Sequence, residues 1–330
     1  MTPGVMFSVV AKKMTPGVVF AAMLLTLLPA AVDAAEHYVV VVSGVSGGEK
    51  YAARQQRWRS QLVASLTSDF ALDAANVVVL DEESEGITKA TSQNLVRLFA
   101  DLRRQVMEND TVMIVLIGHG TFDGDAAKFN LVGPDLIASE WKEMIDPLPG
   151  RVVVINTTES SFPFLEKLSQ RGRVVVTATA AEAQRFSTVF PEYFIRALGA
   201  GSDSDKNGRV SIWEAFAAAS VNVRKHYEQA GQLSTERPLL DDNGDGLGRE
   251  ADEPGEDGTL ARMVYLDAEP RSGRVDVTRV ALERQRVTLE KQLEELKARK
   301  DSMPEAEYYA ALERIVLELA NIAQRMRQGS

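Results

Sequence analysis

Continuous apolar runs, rather than alternations of apolar and polar residues, recur along the first two thirds of the chain. Between the first and second runs, and between the second and third, apolar residues recur every three or four positions, which predicts helices. The predicted strands are residues 37–45, 76–81, 111–120, 151–156 and 173–179. Strands are apolar on both faces only when both faces are covered, so this pattern predicts a mainly parallel sheet in a three-layer α/β sandwich.

The pattern changes near the C-terminus. Residues 276–328 are helical in pattern, with a break at DSMPE (301–305). Beyond the break, apolar residues recur at alternating four- and three-residue steps, which is a heptad seam. The seam consists of Tyr308, Leu312, Ile315, Leu319, Ile322 and Met326. We predict a helical hairpin whose short turn favours pairing of the two seams within one chain. The alternative is a face that forms a homodimer or binds a partner.

Residues 1–34 have the order of a secretory signal: two lysines, an apolar stretch over 18–28, and small residues up to Ala34. The apolar stretch is short for a transmembrane span. We therefore expect an exported, periplasmic or extracellular protein without a stable membrane span after cleavage. MTPGV occurs at both Met1 and Met14, so the sequence is compatible with translation from either.

The composition of the chain excludes some classes of function. The 330 residues carry a net charge of −10, which argues against a nucleic-acid partner, because nucleic-acid binders are basic. The chain has no cysteine, so an exported form has no disulfide to stabilise it. The absence of cysteine also excludes every mechanism that needs a thiol.

Two predicted strands end in polar residues, at the edge where α/β sheets place their binding sites. The third ends in GHG (118–120) and the fourth in NTTESS (156–161). Histidine supplies most general bases, and a backbone N–H such as that of Gly120 can stabilise an oxyanion. His119 and Gly120 are therefore candidate catalytic residues. The alternative is a histidine that only caps the strand, between glycines that the turn requires.

The two strand ends, about forty residues apart, resemble the caspase–legumain clan of cysteine peptidases. In that clan the general-base histidine follows the third strand and the nucleophilic cysteine follows the fourth. The legumain-like nucleophile motif reads Glu-Ala-Cys-Glu-Ser-Gly. Aligned with it, Thr158 takes the position of the cysteine, Glu159 and Ser160 match, and Ser161 replaces the glycine. Residues 118–136 are also similar to bacterial, exported legumain-like sequences, and the resemblance covers about half the chain, 37–198.

Thr158 changes the chemistry that this resemblance implies. A threonine hydroxyl lacks the thiolate form that makes cysteine nucleophilic, and an internal threonine lacks the N-terminal amine that activates known threonine nucleophiles. Its extra methyl group also restricts attack. We therefore predict that peptidase activity is lost and that Thr158 marks a degenerate nucleophile position. The alternative is a hydrolase in which Thr158, Ser160 or Ser161 acts with His119.

The stretch DSDKNGRVSIWE (203–214) matches the twelve-residue loop of an EF-hand calcium site. Gly208 makes the sharp turn at position 6, Ser211 stands at position 9, and helical patterns flank the loop. The predicted calcium ligands are Asp203, Asp205, Asn207, the Arg209 carbonyl and Glu214. The alternative, a polar surface turn, would have to match all these positions by chance.

A second stretch, DDNGDGLGREAD (241–252), is a weaker match to the same pattern. Its candidate ligands are Asp241, Asn243, Asp245 and Asp252, with Gly246 at the turn. Gly248 replaces the usual apolar residue and no helix clearly follows, so an acidic turn is the alternative. Calcium at either loop would be structural, stabilising the segment that follows the sheet where no disulfide is available.

These observations predict an exported, caspase/legumain-like pseudopeptidase. We expect a non-catalytic, calcium-stabilised module of the cell envelope that binds a peptide or protein partner. The alternatives are an active hydrolase and an assembly protein that acts through its helical tail. The predicted parts are a signal peptide (1–34), the α/β domain (35–200), a calcium-binding segment completing its core (201–270), and the hairpin tail (271–330).

Overall fold

The computed structural model describes residue 1, residues 35–266 and residues 303–328. Between the last two ranges it describes positions 281–282, 285–286, 288–289, 292–293, 296 and 299–300. The predicted signal peptide, apart from Met1, lies outside the described residues. Among the helices that the structure describes, none is both long and apolar enough to cross a membrane.

A six-stranded sheet forms the centre of the molecule. The strands of the described residues, in chain order, are β1 (His37–Ser43), β2 (Val77–Leu80), β3 (Thr111–Ile117), β4 (Gly120–Phe122), β5 (Ala127–Phe129), β6 (Leu136–Ile137), β7 (Arg151–Asn156), β8 (Arg173–Thr177) and β9 (Leu239–Asp241). The main sheet has the order β2-β1-β3-β7-β8-β9, and every pairing is parallel except that of β8 with β9. The predicted mainly parallel sheet is confirmed.

Helices cover both faces of this sheet. They are α1 (Glu49–Ala64), α2 (Ser92–Gln105), α3 (Ala138–Ile145), α4 (Phe162–Leu168), α5 (Phe190–Ala197) and α6 (Ile212–Gln229). Val39 and Val41 of β1 pack under α1, α5 and α6, whereas Val40 and Val42 pack under α2, α3 and α4. Successive strand residues point to opposite faces, so an all-valine strand supplies both cores.

The third predicted strand is shorter than expected. It ends at Ile117 rather than at residue 120, because Gly118 has φ 148° and turns the chain. Gly120 then begins β4, which forms a small antiparallel sheet with β5 and β6. This turn leaves His119 between the two sheets.

The C-terminal helix α7 (Glu305–Gln328) buries the predicted seam. Its residues Tyr308, Ile315, Ile322 and Met326 cluster with residues of the preceding segment, Leu282, Leu289 and Leu296. Much of that preceding segment lies outside the described residues, as does Ser302 of the turn, so the hairpin stays a prediction.

Candidate functional site

The turns after β3 and β7 meet at one edge of the sheet, because these strands are parallel neighbours in register from Thr111 to Leu116. Gly120 fits closely against the β7 turn. A Cβ atom at Gly120 would lie 2.2 Å from the Glu159 carbonyl oxygen and 2.5 Å from Thr158 Oγ1. Only glycine tolerates this approach, so the second glycine of GHG brings the two polar motifs together.

Both ring nitrogens of His119 have acceptors. Nδ1 lies 3.0 Å from Glu159 Oε1, and Nε2 lies 3.0 Å from the carbonyl oxygen of Ser46. A carbonyl and an ionised carboxylate can only accept, so the imidazolium form, which donates from both nitrogens, satisfies the two contacts. The Tyr51 ring meets the His119 ring edge-on at a centroid distance of 4.8 Å.

The hydrogen bond to Glu159 raises the pKa of His119 above its ordinary 6.5 and outweighs burial, which lowers it. The Glu159 carboxylate also accepts the Gly120 N–H at 3.2 Å, which is the group predicted as an oxyanion donor. Because the pKa is raised on folding, the pair stabilises the protein fully below pH 6.5. That contribution is lost as pH rises through the folded-state pKa of His119.

We expect Glu159→Gln to lower the pKa of His119, because the amide removes the negative charge that favours the imidazolium. NMR titration of the ring protons measures this. The chain has three histidines, so loss of one signal in His119→Asn assigns it. Glu182→Gln, an exposed glutamate of a nearby loop, is the matched control. An unchanged His119 pKa in Glu159→Gln would contradict the ion pair.

The Thr158 hydroxyl does not donate to His119. It lies 2.8 Å from Asn156 Oδ1 and 3.1 Å from its neighbour's carbonyl oxygen, that of Glu159. The backbone N–H of Thr158 donates to the same Asn156 oxygen at 3.1 Å. Thr158 is only 1% exposed, so its hydroxyl is held inside the turn.

The two serines of the turn also have polar partners. Ser160 Oγ donates to the Gln184 carbonyl oxygen at 3.2 Å. Ser161 Oγ lies 3.0 Å from Thr179 Oγ1 and accepts the N–H groups of Ala178 and Thr179. Ser160 differs in its backbone: its φ of 49° is left-handed, an uncommon conformation for a residue with a side chain.

A pocket of about 430 Å³ opens beside His119. Its lining combines polar residues with the rings of Tyr51 and Phe122. Its lining is Ser46, Gly47, Tyr51, His119, Gly120, Thr121, Phe122, Asn130, Glu159, Ser160, Arg185 and Ser187. Thr158 is not part of this lining and lies behind Gly120, which is part of it.

The first acidic loop brings three of its predicted ligands together. Carboxylate oxygens of Asp203, Asp205 and Glu214 lie within 4.8 Å of one another. Gly208 has φ 82°, and its N–H and that of Asn207 donate to Asp203. Such a set of oxygen ligands fits calcium, which takes carboxylate, amide and carbonyl oxygens in a flexible cage.

Flanking elements hold this loop. It lies between α5 and α6, and Ser211 and Glu214 form a capping box at the start of α6. Ser211 also pairs with Tyr265, and the N–H of Ile212 donates to the Val264 carbonyl at 2.9 Å. The side chain of Val264 is buried in the core, so the segment after the acidic loops returns to the sheet domain.

The second acidic loop does not gather its four predicted ligands. Asp241 is fully buried and accepts the N–H groups of Gly244 and Gly246 and the Ser169 hydroxyl. Asp252 instead forms an ion pair with Arg224 of α6 at 2.7 Å. Asn243 and Asp245 bond to each other at 3.2 Å.

Two carboxylates, Glu159 and Glu236, were not predicted to hold the site. Glu159 was noted only as a match to the legumain-like motif, yet its carboxylate is the partner of His119. It follows β7, the parallel neighbour of β3, and this position in the sequence could have predicted the contact. Glu236 was not singled out either. It is buried and accepts the N–H groups of Val189 and Phe190, which fixes the loop that carries Arg185.

No protein-family model matches this chain, and no curated sequence shows significant similarity to it. Solved structures similar to it include the protein GSU0716 from Geobacter sulfurreducens, at 12% identity and a TM-score of 0.40. That match covers 65% of this chain and 97% of the other. Caspase-1 from Spodoptera frugiperda is similar at 8% identity and a TM-score of 0.42, over 64% of this chain and 87% of the caspase.

Likenesses as distant as these carry no argument about activity. The α/β architecture stands on the strand pairing described above, and it is consistent with the caspase-like fold that the sequence resemblance implies. Placement in the legumain-like branch stays a proposal.

Proposed function

We propose that this protein is an exported, caspase/legumain-like pseudopeptidase that binds an extended peptide of a partner beside His119 without cleaving it, as a calcium-stabilised scaffold of the cell envelope. The observation that carries the proposal is the direction of the Thr158 hydroxyl, which donates to Asn156 inside the turn. A nucleophile needs an exposed oxygen within reach of a base, and Thr158 is 1% exposed.

The state of His119 supports the same conclusion. A general base needs a free lone pair on the ring nitrogen that faces the nucleophile. Both nitrogens of His119 face acceptors instead, and the hydrogen bond to Glu159 raises the pKa of the ring and so favours its cationic form. With both ring N–H groups engaged, His119 lacks the lone pair that a base needs, and it contributes its ring and its positive charge to the pocket wall.

Binding without cleavage is tested with a fluorescent peptide library. We expect bound peptides that mass spectrometry finds intact, and weaker binding by His119→Ala. His226→Ala, which removes a histidine of α6, is the matched control and should bind like wild type. Cleavage that disappears in His119→Ala would establish a hydrolase and overturn the proposal.

Thiol reactivity tests the geometry directly. The chain has no cysteine, so each single-cysteine variant carries one thiol. We expect Thr158→Cys to react slowly with iodoacetamide, because the position is buried, whereas Ser187→Cys in the pocket lining should react readily. Mass spectrometry over time measures both rates. Equal rates would show that position 158 is open to the pocket.

A hydrolase with Ser160 as nucleophile is the second candidate. It is favoured by the left-handed backbone of Ser160, since strained conformations cluster at functional sites, and by the presence of Ser160 and His119 in one pocket lining. Covalent labelling by a fluorophosphonate, lost in Ser160→Ala, would support this candidate. We expect no labelling, because the Ser160 hydroxyl donates to Gln184 rather than to His119.

A further inference from the structure

The first acidic loop is contacted by a cation from a distant part of the chain. Arg286 Nη1 lies 2.5 Å from Asp205 Oδ2, and the two residues are 81 positions apart. The side chains are 13% and 18% exposed, so the pair is largely shielded from water. A shielded ion pair is less weakened by salt than a surface pair, and it holds the C-terminal arm, meaning the described residues within 281–328, against the loop.

This contact occupies a group that a metal would need. Asp205 stands at loop position 3, and its Oδ2 also accepts the side-chain N–H of Asn207 at 2.9 Å. Its Oδ1 accepts the backbone N–H of Asn207 at 3.0 Å. A calcium ion binds a carboxylate oxygen at about 2.3–2.6 Å, which would place two cationic groups on one carboxylate. Like charges at such distances repel strongly.

Apolar packing does not join the arm to the sheet domain among the described residues. The buried apolar residues of the arm form a cluster of their own, and none of them belongs to either core of the sheet. The ion pair with Asp205 is therefore a contact whose loss would weaken docking of the arm while leaving both cores intact.

We propose that Arg286 is the internal counter-cation of the first acidic loop and that calcium displaces it. Calcium binding and docking of the C-terminal arm then oppose each other, and metal binding releases the arm from the α/β domain. This inference rests on the calcium site proposed for residues 203–214. The opposite role, in which Arg286 orients Asp205 and assists the metal, predicts weaker calcium binding by Arg286→Gln and a rise in energy transfer when calcium is added.

Calcium titration of the full chain by calorimetry is the first test. We expect Arg286→Gln to raise calcium affinity about tenfold, the effect of removing one charge-assisted hydrogen bond that competes with the metal. Arg314→Gln removes the same charge from an exposed position of α7 and should bind calcium like wild type. Weaker calcium binding by Arg286→Gln would overturn the proposal.

Movement of the arm is the second test. Coupling between two binding events is reciprocal, so calcium should weaken docking by the same factor. Fluorophores on Gln56→Cys of α1 and Glu318→Cys of α7 are site-specific, since both positions are exposed and the chain has no other thiol. We expect saturating calcium to lower energy transfer in the otherwise wild-type chain. Adding Arg286→Gln should lower it without calcium.

The outcomes separate the two proposals. If neither the wild type nor Arg286→Gln takes up calcium, the calcium site is wrong and the antagonism falls with it. If both bind calcium with equal affinity and energy transfer does not change, the calcium site stands and the role assigned to Arg286 is wrong.

Discussion

Chelation of calcium is expected to lower the melting temperature of this protein by roughly 5–10 °C. A ligand present at about 100 times its Kd stabilises the folded state by about 2.7 kcal/mol, and in a domain of this size each kcal/mol shifts melting by about 2–4 °C. Because the chain has no disulfide, calcium at the first acidic loop would be the cross-link that stabilises the segment after the sheet. Thermal melting in excess calcium and in excess EDTA measures it.

Asp203→Asn shows whether the shift arises at the first acidic loop. The amide has one oxygen where the carboxylate has two, so it can accept the N–H of Asn207 or that of Gly208 but not both, and a charged ligand is lost. We expect its melting to be nearly independent of calcium. Asp101→Asn on α2, which removes an exposed carboxylate, is the matched control and should keep the full shift. A wild type that melts alike in calcium and EDTA would contradict the site.

The sheet was predictable because its signal is local. Val39 to Val42 supply both cores from one strand, and a run of that kind is stable only between two layers of helices. The small sheet β4-β5-β6 and the edge strand β9 were not predicted. They have two or three residues each, too few for periodicity to register, and the small sheet also depends on the turn that Gly118 makes.

The sequence was sufficient to predict which segments meet at the site. Parallel strands end at one edge, so GHG and NTTESS had to be neighbours once β3 and β7 paired. Hydrogen-bond directions were not predictable, because a hydroxyl turns toward whichever acceptor the tertiary structure offers. The Thr158 hydroxyl donates to Asn156 Oδ1, and His119 Nε2 contacts the carbonyl oxygen of Ser46 in the turn after β1. Arg286 is a stronger case, since nothing local relates it to Asp205.

Buried carboxylates near the second acidic loop suggest a variant that gains stability. Asp257 is 3% exposed; its Oδ1 accepts the N–H groups of Asp242 and Asn243, and its Oδ2 has no hydrogen-bond partner among the described residues. Burial, with added repulsion from Asp241 and Asp242, raises the pKa of the Asp257 carboxyl from 3.8 to about 6. The folded state therefore binds a proton that the unfolded state releases.

Between pH 3.8 and about 6 the folded state holds more protons, so stability falls as pH rises through that window. Above it the ionised Asp257 costs up to about 3 kcal/mol. Asp257→Asn cannot ionise and keeps an acceptor for both N–H groups. We expect it to raise the free energy of unfolding by about 2–3 kcal/mol near pH 8 and by little near pH 4.

Urea unfolding at the two pH values measures this gain, and Asp245→Asn, an exposed position of the same loop, should change little at either. The variant also bears on the second predicted calcium loop. A cation bound there would neutralise the Asp257 carboxylate, so replacing it would remove a favourable interaction. If Asp257→Asn loses stability near pH 8 only when calcium is present, the interpretation of Asp257 as an uncompensated buried charge would be wrong. That result would assign Asp257, rather than Asp252, to a metal site with Asp241.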